Sequence, residues 1–449
     1  MRLSTRAKVL PVALVTLSAL ALAACGSSGP GDTGTEGGGE ASATAGGGAA
    51  GGEASAWALT GGVHEIMWKK SFEDWNAAHP DKAIKVDWFA NDAYKEKIRT
   101  AIGSGSAPTL VFGWAGGLMQ EYIDAGSIID LTGKVDQINS KILPSVVGVG
   151  TVDDKVYGVA NSQSQPVVLY YNKDVFDAAG VQPPTTWADL LSLVDTFKAQ
   201  GTIPIALAGG SKWPELMWIE YLVDRVGGPD VFAKIAAGEK DSWSDPAVAQ
   251  ALTYIQDLVN AGAFGQGFST VVADDNADDA LLHTGKAAML LQGSWAYGAF
   301  KADAPDFVSS GKLGFANFPS VPDGKGDPKD TVGNAANYWY ISSSASEKAQ
   351  ADALEYLNSV VWDDTYTQTL IDNGGIPPIA GLEDKLAASD DAAFLTYGYS
   401  LVKDAPAFTL SWDQALPSDQ AQELLSNLDQ VFLGQITPQQ FVDNMNATL

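Results

Sequence analysis

Five adjacent carboxylate pairs, Asp153-Asp154, Asp274-Asp275, Asp278-Asp279, Asp363-Asp364 and Asp390-Asp391, and three histidines, His64, His79 and His283, could carry acid–base or metal chemistry. A glycosidase needs two carboxyl groups facing each other across a sugar. Neighbours in sequence point apart, and 54 acidic residues make such doublets expected by chance. Glycoside hydrolysis at a surface therefore stands as the alternative reading and not the first. A calcium loop starting at Asp274 would place Asn276 and Asp278 at its third and fifth positions. Asp279 then stands where the turn glycine belongs and Gly285 where the terminal glutamate belongs, so the match fails. The histidines show no HExxH spacing and have no cysteine partner nearby, and no glycine-rich nucleotide fingerprint follows a strand. No catalytic residue, no metal and no cofactor are expected.

Tryptophan is the more informative residue type, because 13 of them exceed what a core of this size requires. Four sit beside loop-type residues, in Trp114-Ala115-Gly116-Gly117, Ser211-Lys212-Trp213-Pro214, Gln292-Gly293-Ser294-Trp295 and Leu410-Ser411-Trp412-Asp413. An indole next to glycine offers a flat apolar platform with room above it. Trp68 and Trp339 are weaker candidates of the same kind, and Trp187, which opens a helix, reads as structural.

The single cysteine, Cys25, ends Leu22-Ala23-Ala24-Cys25 behind a basic segment (Arg2, Arg6, Lys8) and the apolar run from Val9 to Leu22. That run is too short for an ordinary transmembrane helix and has the make-up of a secretion signal. The tetrapeptide resembles a bacterial lipobox, which implies a signal peptide over 1–24, cleavage before Cys25 and a diacylglycerol group on its thiol. With no second cysteine, an intramolecular disulfide is impossible. Residues 25–56 are almost wholly Gly, Ser, Ala, Thr and Glu, the composition of a disordered tether. The expected location is the outer face of the cytoplasmic membrane, with the lipid as the membrane contact. A formal charge of −27 makes nucleic acid an improbable partner.

From Trp57 onward roughly 390 residues remain, more than one hydrophobic core organises, so two lobes are expected. Short apolar strands alternate with helical patterns, which implies α/β lobes with mainly parallel sheets. Ile84–Trp88 alternates at period two, Tyr94–Ile102 is helical in composition, and Thr109–Phe112 is a short buried run. Thr186-Trp187-Ala188-Asp189 and Thr437-Pro438-Gln439-Gln440 read as helix starts.

Three segments together, Tyr170-Tyr171-Asn172-Lys173-Asp174-Val175-Phe176, Pro183-Pro184-Thr185-Thr186-Trp187-Ala188-Asp189-Leu190, and Gly285-Lys286-Ala287-Ala288-Met289 with Gly293-Ser294-Trp295, resemble the family 1 extracellular solute-binding proteins. These are the sugar-binding lipoproteins of ABC importers, to which maltose-binding protein is related. The resemblance implies a two-lobe periplasmic-binding-protein-like fold with a hinge and an interlobe cleft. It places crossings near 162–166, 317–322 and 342–346, with lobe one from 57–163 and 320–344 and lobe two from 164–319 and 345–449. It further implies a monomer that captures a neutral mono- or oligosaccharide and hands it to the transmembrane subunits of an ABC permease. A polyol or a glycerol phosphodiester is the alternative solute. A pyranose needs an aromatic platform and polar edges, so Trp295, Trp412, Trp213 and Trp114 are the expected stacking residues. Thr60, His64, Asn91, Asp92, Gln163, Gln165 and Asp413 are the expected hydrogen-bonding ones. The acidic residue often found around the family's first crossing is absent, since Asn161-Ser162-Gln163-Ser164-Gln165 is uncharged.

Overall fold

The computed structural model describes residues 52–449; the expected signal, Cys25 and most of the tether lie outside the described residues. The first strand begins at Ala54, three residues before the expected start of lobe one, because Ala54, Ala56 and Ala58 alternate into the core. The strands are β1 (Ala54–Leu59), β2 (Ile84–Phe89), β3 (Leu110–Gly113), β4 (Thr151–Val152), β5 (Lys155–Val156), β6 (Val159–Ala160) and β7 (Gln165–Asn172), followed by β8 (Ile203–Ala206), β9 (Ala287–Gly293), β10 (Leu313–Ala316), β11 (Thr331–Asn334), β12 (Tyr338–Ile341) and β13 (Phe408–Leu410).

Two sheets organise the two lobes. The first runs β2-β1-β3-β12-β6, and the second runs β13-β11-β7-β9-β8 with β10 also on β7. Pairing is mixed and not mainly parallel. β1 lies parallel to β2 and β3, whereas β12 is antiparallel to β3 and β6, and β7 is antiparallel to β9, β10 and β11. β12 takes its antiparallel places beside β3 and β6 on returning to the first sheet after the chain has visited the other lobe.

Local chemistry sets the helix starts. Thr186 and Asp189 exchange side-chain and backbone bonds in a capping box, and Thr437 and Gln440 do the same, so both sequence-expected starts are present. The helix Gly62–Ala78 stops at His79, ahead of Pro80.

The cores show where the chain changes lobe. The first is built from 54–160 and 335–370, the second from 167–332 and 412–445, and a third cluster on the far face of the second sheet takes in Ile371, Ile376 and Phe394. Crossings therefore fall at 161–165, 335–337 and 371–376. The second and third lie away from the expected 317–322 and 342–346. Phe318 and Val321 pack inside lobe two, while Ser342 and Ala345 stay with lobe one, carrying the helices Glu347–Ser359 and Asp364–Asp372 with them. Tyr356 and Trp362 decide this, as their rings need the Phe72, Trp75 and Tyr366 surface of lobe one. The crossings bind one another: Asn161 N–H donates to the Asn337 carbonyl and Ser164 N–H to the Ile376 carbonyl, both at 2.8 Å. No helix of the described residues is long and apolar enough to cross a membrane.

Candidate ligand-binding cleft

A cavity of about 200 Å³ lies between the lobes, at the C-terminal ends of β1, β2 and β9 and beside the crossings. Its aromatic wall is Trp213 and Trp295, with ring centroids 5.8 Å apart and planes at 56°. Each is only partly buried, so a face remains for a ligand. Trp295 opens the helix Trp295–Asp303 directly after β9, and its ring folds back over Gly293, where any Cβ would overlap the indole. The glycine beside this tryptophan thus makes room for the ring itself. Trp213 opens the helix Trp213–Gly227, and its Nε1 is buried without a hydrogen-bond partner.

From lobe one come Thr60 and His64 after β1, Asn91 after β2 and Trp114 after β3. Trp114 is mostly buried against Phe112 and Tyr94, and the Lys95 ammonium sits 5.3 Å above its ring. Lys95 also meets Asp413 of lobe two at 3.5 Å. Burial lowers the His64 imidazole to about 4, so the ring is neutral at physiological pH, and neither of its nitrogens has a partner. Gln165 lines the cavity and accepts from Asn334 Nδ2 at 3.3 Å.

Three expected contacts are elsewhere. Trp412 is fully buried in lobe two, stacked on Phe232 at 4.3 Å with planes 1° apart and edge-on to Trp243. Its loop is pinned by the Glu220 carboxylate, which accepts from Ser411 Oγ and Trp412 N–H, and so Asp413, the next residue, faces the cleft in its place. Gln163 is also fully buried, its Oε1 accepting from Ile376 N–H across two crossings, which makes it a hinge residue. Asp92 does not line the cavity; its backbone N–H donates to the Asp274 carboxylate of lobe two at 3.0 Å. Trp68 and Trp339 are core residues, packed on each other at 5.5 Å.

Sequence reasoning missed a polar floor made by Asp278, Asp279 and Gln292 of lobe two with Asn334 and Asn337 at the second crossing. Asp278 accepts from Gln292 Nε2 at 2.9 Å, and Gln292 Oε1 accepts from Gly293 N–H. Burial pushes both carboxyls up, and the charge of Asp278 adds to the cost of ionising Asp279. Asp279 Oδ1, Asn334 Oδ1, Asn337 Oδ1 and Gln414 Oε1 are buried with no protein partner. An unsatisfied buried polar atom costs about 1–3 kcal/mol. A set of them around one cavity is the arrangement a polyhydroxylated ligand would satisfy.

The profile of the bacterial extracellular solute-binding proteins matches residues 60–360. This chain belongs to that family. An uncharacterized ABC transporter extracellular-binding protein of Pyrococcus horikoshii is 29% identical over 251 residues, 55% of this chain and 56% of that one. A putative binding protein of Brucella abortus is 24% identical over 350 residues, 78% and 80% of the two chains. The chain thus spans little more than half the length of the Pyrococcus relative. Among solved structures, one described for xylan utilization by the thermophilic bacterium Caldanaerobius polysaccharolyticus superposes with a TM-score of 0.79 at 30% identity, covering 88% of this chain and 100% of that one. A chitin oligosaccharide binding protein gives 0.78 at 23% identity, covering 89% and 98%, and shares the fold. Membership of this solute-binding family sets the chain on the extracytoplasmic side as a binding protein.

Proposed function

We propose that this solute-binding protein captures a short neutral saccharide between its lobes and presents it, closed in, to the transmembrane subunits of an ABC importer, without catalysis. The Trp213–Trp295 wall facing a floor of unpartnered buried amides and carboxyls carries this reading. An apolar face with a polar rim is the shape of a pyranose. At about 200 Å³, the cavity lies under the roughly 300–1,000 Å³ of drug-sized pockets, which suits one or two rings. The relatives point the same way: besides the xylan and chitin cases, a multiple sugar-binding protein of Streptococcus mutans is 25% identical over 296 residues.

Thermal shift and tryptophan fluorescence of the purified protein against mono- and disaccharides of the xylo-, cello-, malto- and chito-series test the proposal. A ligand at 100 times its dissociation constant adds about 2.7 kcal/mol, so one series should shift the melting curve by several degrees. A flat panel would remove the saccharide reading.

Anchoring by a lipid on Cys25 belongs to the same proposal and rests on Leu22-Ala23-Ala24-Cys25. Cells fed labelled palmitate should label the wild-type protein and not Cys25→Ser, and the variant should leave the membrane fraction. Unchanged labelling and retention would contradict the anchor.

A further inference from the structure

The floor of the cleft holds more carboxyl groups than hydrogen bonding to a neutral ring requires. The helix Ala277–His283 presents Asp278, 1% exposed, and Asp279, 5% exposed; both line the cavity, and Asp279 Oδ1 is buried there without a partner. No basic group offsets either one; beside burial, the charges raising Asp279 are those of Asp278 and Asp303. Asp274 lines the same wall, held by the Asp92 N–H. Lys95 is the single lysine or arginine among the lining residues, and Asp413 neutralises it. Through Gln292 and Gly293, Asp278 is tied to the end of β9, two residues before Trp295, so the acids and the indole are held by the same stretch of chain.

We propose that Asp278 and Asp279 form a charge filter that refuses anionic saccharides and admits neutral ones. The proposal rests on the saccharide reading above and names what that site rejects. Selectivity of this kind works through repulsion of the wrong ligand more than attraction of the right one. An entering uronate carboxylate would be desolvated next to a buried acid pair with no cation to meet it. Burial pushes both carboxyls up, and a protonated carboxyl can donate to one hydroxyl and accept from another on a neutral ring, whereas a carboxylate can only accept.

Calorimetric titration with matched sets tests the filter: glucose, glucuronate and glucuronamide; galactose, galacturonate and galacturonamide; and cellobiose with cellobiouronate. Glucuronamide and galacturonamide have the shape of the uronates without the charge. Like-charge juxtaposition in a desolvated site should make each uronate at least about 30-fold weaker than its neutral parent, with the amide close to the parent. The Asp278→Asn/Asp279→Asn double variant should bind the uronate more tightly than wild type does, in absolute terms, while losing affinity for the neutral sugar. Both positions are replaced together because a lone remaining acid would ionise more readily. A wild-type protein that binds a uronate within threefold of its parent overturns the filter, as does equal rejection of uronate and amide, which would mean exclusion by shape. These wild-type comparisons need no variant to fold. If no neutral sugar binds, the saccharide reading falls and takes the filter with it; if neutral sugars bind and charge makes no difference, only the filter falls.

Discussion

Replacing Trp295 with alanine should weaken binding of the cognate saccharide by about 10- to 60-fold while leaving the folded protein intact. A sugar face on an indole covers about 60–100 Å² of apolar surface, and at about 25 cal/mol per Å² that contributes roughly 1.5–2.5 kcal/mol. Each 1.4 kcal/mol is about a factor of ten in affinity. Trp295 should exceed Trp114 in effect, because its ring is partly open to the cavity while Trp114 is held by Phe112, Tyr94 and Lys95. Trp412→Ala is the control with the opposite signature. Its ring is fully buried against Phe232 and Trp243, so truncation should cost about 3–5 kcal/mol of stability with no direct loss of ligand contact. Calorimetric titration alongside a melting curve separates the two variants. If Trp295→Ala binds as wild type does, the aromatic wall is not the platform.

The contrast between Trp295 and Trp412 shows what a linear sequence could reveal. Both follow a serine and open a short helix, and locally both look like platforms. What separates them is Phe232, some 180 positions before Trp412 in the chain, whose parallel ring takes up the surface a sugar would have used. Such a partner leaves no local mark. The motifs around Asn172, Thr186 and Gly293 identified the fold because they are local devices: a cap, a capping box, and a glycine that the following indole covers. The Asp278–Asp279 doublet looked like the other four pairs in the chain, and only burial of that pair at the cleft floor distinguishes it. The second and third crossings lie away from 317–322 and 342–346 for a related reason. Tyr338–Ile341 and the helix after it are apolar enough for either lobe, and the choice is made by aromatic partners near the N-terminus. Two amides bracketing small residues, Asn334-Ala335-Ala336-Asn337, were a legible sign of a polar crossing and could have flagged it.

Gly117→Ala should reduce saccharide affinity by at least about 100-fold through closure alone, without touching a residue that lines the cavity. The space that Gly116 and Gly117 leave beside Trp114 is filled by the other lobe. A Cβ on Gly117 would overlap the Leu416 carbonyl, and one on Gly116 would overlap the Gln414 carbonyl, so the two lobes meet backbone to backbone here. Around that contact Glu121 of lobe one accepts from Ser418 N–H at 2.6 Å and Ser418 Oγ at 2.7 Å at the start of the helix Ser418–Phe432, and Lys95 pairs with Asp413. Gly117 is the better test of the two, since Gly116 has a φ of 76° that alanine resists, whereas Gly117 starts the helix Gly117–Asp124 with ordinary backbone angles. Alanine there should slightly stabilise the ligand-free protein, as glycine costs a helix roughly 0.5–1 kcal/mol relative to alanine. The variant can fold and open but cannot bring Asp413 of lobe two to Lys95 or set the Trp295 wall against lobe one. Apparent affinity falls with the fraction of molecules able to close. Small-angle scattering should show the wild type contracting on ligand addition and Gly117→Ala failing to do so, with an unchanged or raised melting temperature before ligand is added. Wild-type affinity in this variant would mean that the lobes close in another register and that the meeting of Gly117 with Leu416 does not control capture.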